Sequence, residues 1–295
     1  MPEEIQVKSI LNKHKKRDDW FLDDYSVNPY SGCSFNCIYC YIRGSKYGEN
    51  MAKTLSVKVN APELLERQLS RRAEKGEYGI IALSSSTEPY MPLEEKLKIT
   101  RKLLKIILKY RFPVEVATKS NLVLRDLDIL KEIDKKAILP SDLKPRLKHG
   151  LIILFSISTL DERLAKILEP GAPVPEKRLE TMKKCKDEGL FTGMCFIPVL
   201  PFLSDSEEQL EEMIKTAKKY GADFIFVGGL TLFGNGQADS RTLYYRFLER
   251  YYPELVPKYK SLYRIFASPS KEYLKKLEER SKEICKKHNI RYKIV

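Results

Sequence analysis

Cysteine is scarce in this sequence: six in 295 residues, alongside three histidines and one tryptophan. So few thiols exclude a disulfide-stapled scaffold. Long apolar runs are missing as well. None approaches the ~20 residues that cross a bilayer, so no membrane role is expected. The opening stretch MPEEIQVKSILNKHKKRDDW lacks the apolar centre of a secretory signal, and the chain is read as cytoplasmic. In that reducing setting, clustered cysteines point to metal ligation or catalytic thiols rather than disulfides. What remains, 43% hydrophobic and 32% charged residues, suits one large globular domain with or without an appendage.

Acidic residues are also in deficit, with 53 Lys and Arg against 40 Asp and Glu, a net charge of +13. The excess is uneven. Residues 241–295 hold fifteen Lys and Arg against six Glu, and eight of the seventeen tyrosines. Cations interleaved with aromatics fit a nucleic-acid surface, charge for phosphates and rings for bases. The same pattern fits tyrosines packed on a neighbouring domain and the Lys/Glu richness of heat-adapted proteins.

From residue 61 onward, helical and strand patterns alternate. Helices are expected at 61–76, 93–110, 125–137, 175–189 and 206–221. Apolar strands are expected at 78–86, 113–120, 150–159, 191–200 and 223–232. Near-continuous apolar strands followed by helices imply a parallel sheet covered by helices. Counting the segment before Cys33, six units give an α/β fold, a partial (βα)6 TIM-type barrel; a doubly wound open sheet ranks second. The expected division is an N-terminal segment 1–24, the core 25–235 and a basic, Tyr-rich helical C-terminal extension 236–295. ILPSDLKPRLKH (138–149) reads as a basic insertion.

Such folds place their chemistry where the parallel strands end. Those ends read SSSTE (Ser84–Glu88), TKS (Thr118–Ser120), SIST (Ser156–Thr159), PVLP (Pro198–Pro201) and GGLT (Gly228–Thr231). The cysteine-rich loop GCSFNCIYCY (32–41) follows the first strand at the same rim. It gathers Cys33, Cys37 and Cys40, while Cys185, Cys195 and Cys285 lie in helical or apolar stretches that suggest the core. Zinc usually takes four protein ligands, or three plus water, and none of the histidines lies beside the loop. A [4Fe–4S] cubane on three cysteines leaves one iron free. A three-cysteine zinc site or a redox CxxC at Cys37/Cys40 are the alternatives.

The Cys-x3-Cys-x2-Cys spacing with Tyr39 before the last cysteine resembles the signature of the radical S-adenosylmethionine (SAM) superfamily. NPYSGCSFNCIYCYIR (28–43), VKVNAPELL (57–65), STEPYMPLEEKLKITRKLL (86–104), TKSNLVLRDLDIL (118–130), LEPGAPVPEKRLETMKKC (168–185) and YYPELVPKYKSLY (251–263) together resemble its spore photoproduct lyase-like branch. The resemblance implies that Cys33, Cys37 and Cys40 ligate the cluster while SAM chelates the fourth iron. A low-potential donor supplies one electron, SAM is cleaved, and a 5′-deoxyadenosyl radical takes hydrogen from the substrate. It further implies that Tyr39 and Pro198 flank the adenine, Thr87 and Glu88 meet the methionine amino group, and Lys119 and Ser156 contact SAM. Arg178 would clamp the SAM carboxylate.

One departure matters. The lyases carry a hydrogen-donor cysteine just upstream of the acidic position matched by Glu88, where this sequence reads Ser84-Ser85-Ser86. A serine O–H bond is too strong for that task, so the expectation is a relative with another substrate. Two classes stay open. One is an enzyme acting on nucleic acid through the basic extension, repairing DNA or modifying RNA such as tRNA. The other acts on a small molecule or protein, the extension being purely structural.

Overall fold

The computed structural model describes residues 2–45, 48 and 55–295. In chain order its strands are β1 (Glu3–Ile5), β2 (Leu11–Lys13), β3 (Asp23–Val27), β4 (Tyr30–Ser31), β5 (Ser56–Lys58), β6 (Ile80–Leu83), β7 (Val114–Thr118), β8 (Leu151–Ser156), β9 (Thr192–Val199), β10 (Phe224–Gly229) and β11 (Arg291–Tyr292). The main sheet runs β11-β10-β9-β8-β7-β6-β3-β2. β3 and β6 to β10 are mutually parallel, the six barrel strands the alternation implied. β2 joins antiparallel outside β3, and the two edges of the sheet are not paired with each other, so the barrel stays open. A small sheet, β1-β5-β4, flanks it.

Alternation along each strand sorts side chains onto two faces. Ile81, Leu83, Val114, Val116, Ile153 and Phe155 pack outward against helix residues such as Leu103, Leu104 and Ile107. Ile80, Ile152, Leu154, Cys195 and Phe226 form the inner cluster. Leu143 and Leu147 of the basic insertion join it, with Leu22 and the partly buried Trp20 and Phe21. These residues directly precede β8 and β3, so insertion and N-terminal segment together close the floor of the barrel. The opposite end, where the strands finish, is left for chemistry.

The helix expected over 93–110 is two helices, Glu94–Leu97 and Ile99–Lys109, parted at Lys98 with φ 53°. The reason is tertiary. Glu94 is fully buried, and its carboxylate accepts from Thr100 N at 3.1 Å, from Arg125 Nη2 at 2.9 Å and from the Tyr30 hydroxyl. That carboxylate caps the second helix across a break that periodicity alone does not reveal.

The C-terminal extension is helical at Ser240–Tyr251, Val256–Tyr263 and Lys271–Lys287, and it then returns as β11 to pair with Phe224 and Ile225. Its tyrosines mostly point inward. Tyr244, Tyr259 and Tyr263 are buried with Tyr39, Leu200, Leu230 and Leu232. Their hydroxyls are satisfied: Tyr259 donates to Pro201 O at 2.6 Å and Tyr263 to Leu230 O at 2.8 Å. Of the two uses open to these rings, packing has taken most. Among the described residues no helix is long and apolar enough to cross a membrane.

Candidate active site

The cysteine loop leaves β4 at Gly32 and is held from the far side by the turn Leu168–Ala172. Leu168 O accepts from Ile38 N at 2.9 Å, and Gly171 N donates to Phe35 O at 3.0 Å. A Cβ at Gly171 would stand 2.2 Å from Ser34 O, so only glycine lets the turn approach the loop backbone. Asn36, within the loop, sits in the left-handed region at φ 54°. Arg43 ties the loop together by donating to Cys37 O at 3.1 Å and to the Asn36 side chain.

Cys33, Cys37 and Cys40 are free thiols, each partly buried. They lie close enough to repel one another as thiolates. Burial, then the Glu88 charge, pushes Cys33 up to about 11. Burial raises Cys37 further, against the pull of Lys119. Ligation therefore needs added positive charge at the loop, which iron supplies; thiolate ligands are the donors such clusters use.

Around the rim the strand ends bring the expected residues together. Glu88, past the end of β6, is buried and accepts three hydrogen bonds: from Tyr90 N at 3.1 Å, from Lys119 N at 3.0 Å and from the Thr118 hydroxyl. Burial raises its carboxyl above the ordinary value, partly offset by those bonds. No guanidinium or ammonium among the described residues forms an ion pair with it. A carboxylate has about four acceptor sites, so one is left over for an incoming donor. Beside it Thr87 Oγ1 is buried without a partner among the described residues. Lys119, following β7, reaches Ser156 Oγ at the end of β8 at 2.9 Å. Burial pulls Lys119 down, but the charges of Cys37 and Glu169 outweigh it and the net shift is upward. Pro198 is buried near the end of β9.

Among the described residues no three His, Cys, Asp or Glu side chains converge as a ready metal site, so it is the chemistry of the donors that fits the groups the motif calls for. Three soft donors share a short loop, and a spare carboxylate acceptor and an orphaned hydroxyl stand on the adjoining strand end. A SAM ammonium has the charge and the donors that Glu88 and Thr87 lack.

Two expected contacts have other partners. Arg178 is 1% exposed and its guanidinium is taken up by protein groups. It donates to Pro173 O at 2.7 Å, to Ser156 O at 3.0 Å and to the Glu169 carboxylate. Tyr39 is buried in the extension's core, its hydroxyl on Glu169 and 3.3 Å from Ser158 Oγ. Glu169 is the residue that sequence reasoning missed. Burial alone would raise its carboxyl, but Lys119, Arg178 and the bonds from Arg178 and Tyr39 reverse the balance, and it falls below the ordinary value. Its only signal was an acidic residue between an apolar helix and Pro170-Gly171.

A family model described as the Radical SAM superfamily matches residues 27–214. An uncharacterized protein from Mycobacterium tuberculosis is 28% identical over 293 residues, 97% of this chain and 81% of the relative. One from Methanocaldococcus jannaschii is 31% identical over 233 residues, 78% of this chain and 77% of the relative. Among solved structures, spore photoproduct lyase complexed with dinucleoside spore photoproduct superposes with a TM-score of 0.65 at 15% identity, covering 98% of this chain and 80% of that one. At that identity the likeness shows the fold.

Proposed function

Because this chain belongs to the radical SAM superfamily of enzymes, whose members use a [4Fe–4S] cluster and SAM, we propose that Cys33, Cys37 and Cys40 hold the cluster and that its substrate is a nucleic acid. When bound, cluster and SAM would supply one-electron chemistry able to take a hydrogen atom from the substrate, with Cys33, Cys37 and Cys40 holding the cluster. The observation that carries this reading is the meeting of the three-cysteine loop, Glu88 and Lys119 at one barrel rim.

Each residue then has a task. Glu88 accepts the SAM ammonium through its remaining acceptor site, with Thr87 Oγ1 alongside. Lys119 keeps its charge beside Cys37, where it screens the anionic loop and faces the SAM carboxylate or ribose; Ser156 holds its ammonium in place. Pro198 walls the adenine side. Tyr39 and Arg178 are positioning residues, locking the cysteine loop and the end of β8 to Glu169. A low-potential electron donor and a reducing, cytoplasmic setting complete the scheme.

The nucleic-acid half of the reading draws on the +13 charge and on the structural neighbour, a lyase complexed with a dinucleoside spore photoproduct. The serines at 84–86 argue against that neighbour's own reaction. The test is deuterium transfer. Deuterated DNA or RNA incubated with the reduced, anaerobic enzyme and SAM should place label in 5′-deoxyadenosine. Label arriving only from a deuterated peptide or metabolite would overturn the substrate assignment and leave the cofactor assignment standing.

A further inference from the structure

Beside the cysteine loop a groove of about 1260 Å3 runs between Phe202, the helix Val256–Tyr263 and the turn 264–270. It is larger than the ~300–1000 Å3 of ordinary small-molecule sites, which suits a stretch of polymer. Its wall at Phe233 touches the tail of the loop: a Cβ on Gly44 would lie 2.7 Å from Phe233 O. The groove thus meets the segment that follows the cysteine loop, while its lining is separate from the site residues.

Two kinds of side chain line it. Phe266 is 63% exposed and Phe202 42%, and the neighbouring Ile265 is 85% exposed, more apolar surface than a solvated rim needs. Lys258, Arg264 and Lys271 share the same walls, and among the described residues none of them pairs with a carboxylate. The one acidic lining residue, Glu272, is matched by Lys276 at 2.7 Å. Lys258 Nζ sits 5.6 Å from the Phe202 ring centroid. The display is also built at a cost. Phe202 and Arg264 adopt φ of 62° and 48°, a region that side chains other than glycine seldom enter. Phe202 N is fixed on Asp205 Oδ1 at 2.8 Å, and the turn is fastened to the segment after β10 by Leu232 N on Ala267 O at 2.7 Å. Beneath them the buried Tyr259 and Tyr263 make a rigid floor.

We propose that this groove binds single-stranded nucleic acid, its phosphates on Lys258, Arg264 and Lys271 and its bases stacked on Phe266 and Phe202. The proposal rests on the nucleic-acid reading above and deepens it by naming where the strand lies. Unpaired bases offer ring faces that a duplex hides, and exposed aromatics between free cations match that chemistry without reading sequence.

The test is fluorescence anisotropy of the whole protein with a short labelled oligo(dT) or oligo(rU), across about 50 to 300 mM salt. Three phosphate contacts predict a slope of log K against log salt near −2, from ~0.7 per contact on single strands. Phe266→Ala should weaken binding at least about fivefold. Its ring is exposed, so the fold does not depend on it, and a matching circular dichroism melt checks this. Lys258→Glu combined with Lys271→Glu should weaken binding and flatten the slope, while Lys148→Glu, an exposed lysine at the floor of the barrel, should leave both unchanged. If the wild type binds but the groove variants bind as tightly, or Lys148→Glu costs as much, the groove assignment is overturned and the nucleic-acid reading stands. If the wild type binds neither oligonucleotide at about 50 mM salt, the groove proposal falls, and the nucleic-acid reading is decided by the deuterium-transfer test.

Discussion

Glu88 and Glu94 lie six residues apart and are both buried, yet they have opposite company. Glu94 is ion-paired with Arg125 at 2.9 Å and takes further bonds from Thr100 and Tyr30. Glu169, across the barrel, is matched by Arg178 in the same manner. Glu88 has three neutral donors and, among the described residues, no ion pair, with Lys119 acting on it only at longer range. Glu115, on β7, has still less: Oε1 is buried without a partner among the described residues, and burial together with Asp23 and Asp18 raises its carboxyl well above the usual range. Carboxylates that hold the architecture are closed by a guanidinium. The one at the rim is organised but left short of a cation, which is the state a binding residue needs before its ligand arrives.

The comparison can be broken by substitution. Glu94→Ala should have the largest effect, a loss of roughly 3 kcal/mol in unfolding free energy, because Arg125 keeps only Asp126 as an ion-pair partner, besides the residue 94 carbonyl, and Thr100 N loses its acceptor. A urea melt measures it; a loss under about 1 kcal/mol would mean that the matched pair is not structural. Glu88→Gln should do the reverse, changing stability little and weakening SAM binding by at least about tenfold, since a charge-assisted bond becomes a neutral one. Calorimetric titration of the reconstituted protein reads this, and unchanged affinity removes Glu88 from its role.

Glu115→Gln sharpens the contrast through pH. A carboxyl with a raised folded-state pKa carries no penalty below its unfolded value near 4.3, and the penalty grows as pH climbs toward the folded value. Asp23, Asp18, the Tyr41 hydroxyl and the Cys195 thiol are the titratable groups facing it. The variant should therefore gain about 1 kcal/mol at pH ~8 and little at pH ~4.5, seen as melting temperatures that diverge on alkalinisation. A constant difference across that range would mean Glu115 has found a partner. Thr87→Val should be smallest, neutral or slightly stabilising to the fold while weakening SAM binding about fivefold.

The parts of this molecule legible in its sequence are those governed by local pattern. Five apolar strands and the polar residues at their ends follow from periodicity, the sixth being counted only as the segment before Cys33, and the Cys33, Cys37 and Cys40 spacing announces its own chemistry. What was hidden depends on partners distant in sequence. Arg178 reads like a free clamp until Glu169 is seen beside it, nine residues earlier and across a turn. The helix break at Lys98 exists because Glu94 is drawn inward by Arg125, 31 residues on. The tyrosines of the extension have the composition of a stacking surface, but composition carries no direction, and Tyr244, Tyr259 and Tyr263 face the core. The exposed rings beside them include two phenylalanines, Phe202 and Phe266, which no motif marks, and of the extension's tyrosines Tyr251 is the exposed one.

The most direct test is electron paramagnetic resonance of the reduced protein, reconstituted with iron and sulfide under anaerobic conditions, before and after SAM is added. A low-spin cluster signal that shifts when SAM arrives, and vanishes in Cys37→Ala, is the predicted result. A signal indifferent to SAM, or a wild-type protein that retains zinc and no cluster, would contradict the account at its root.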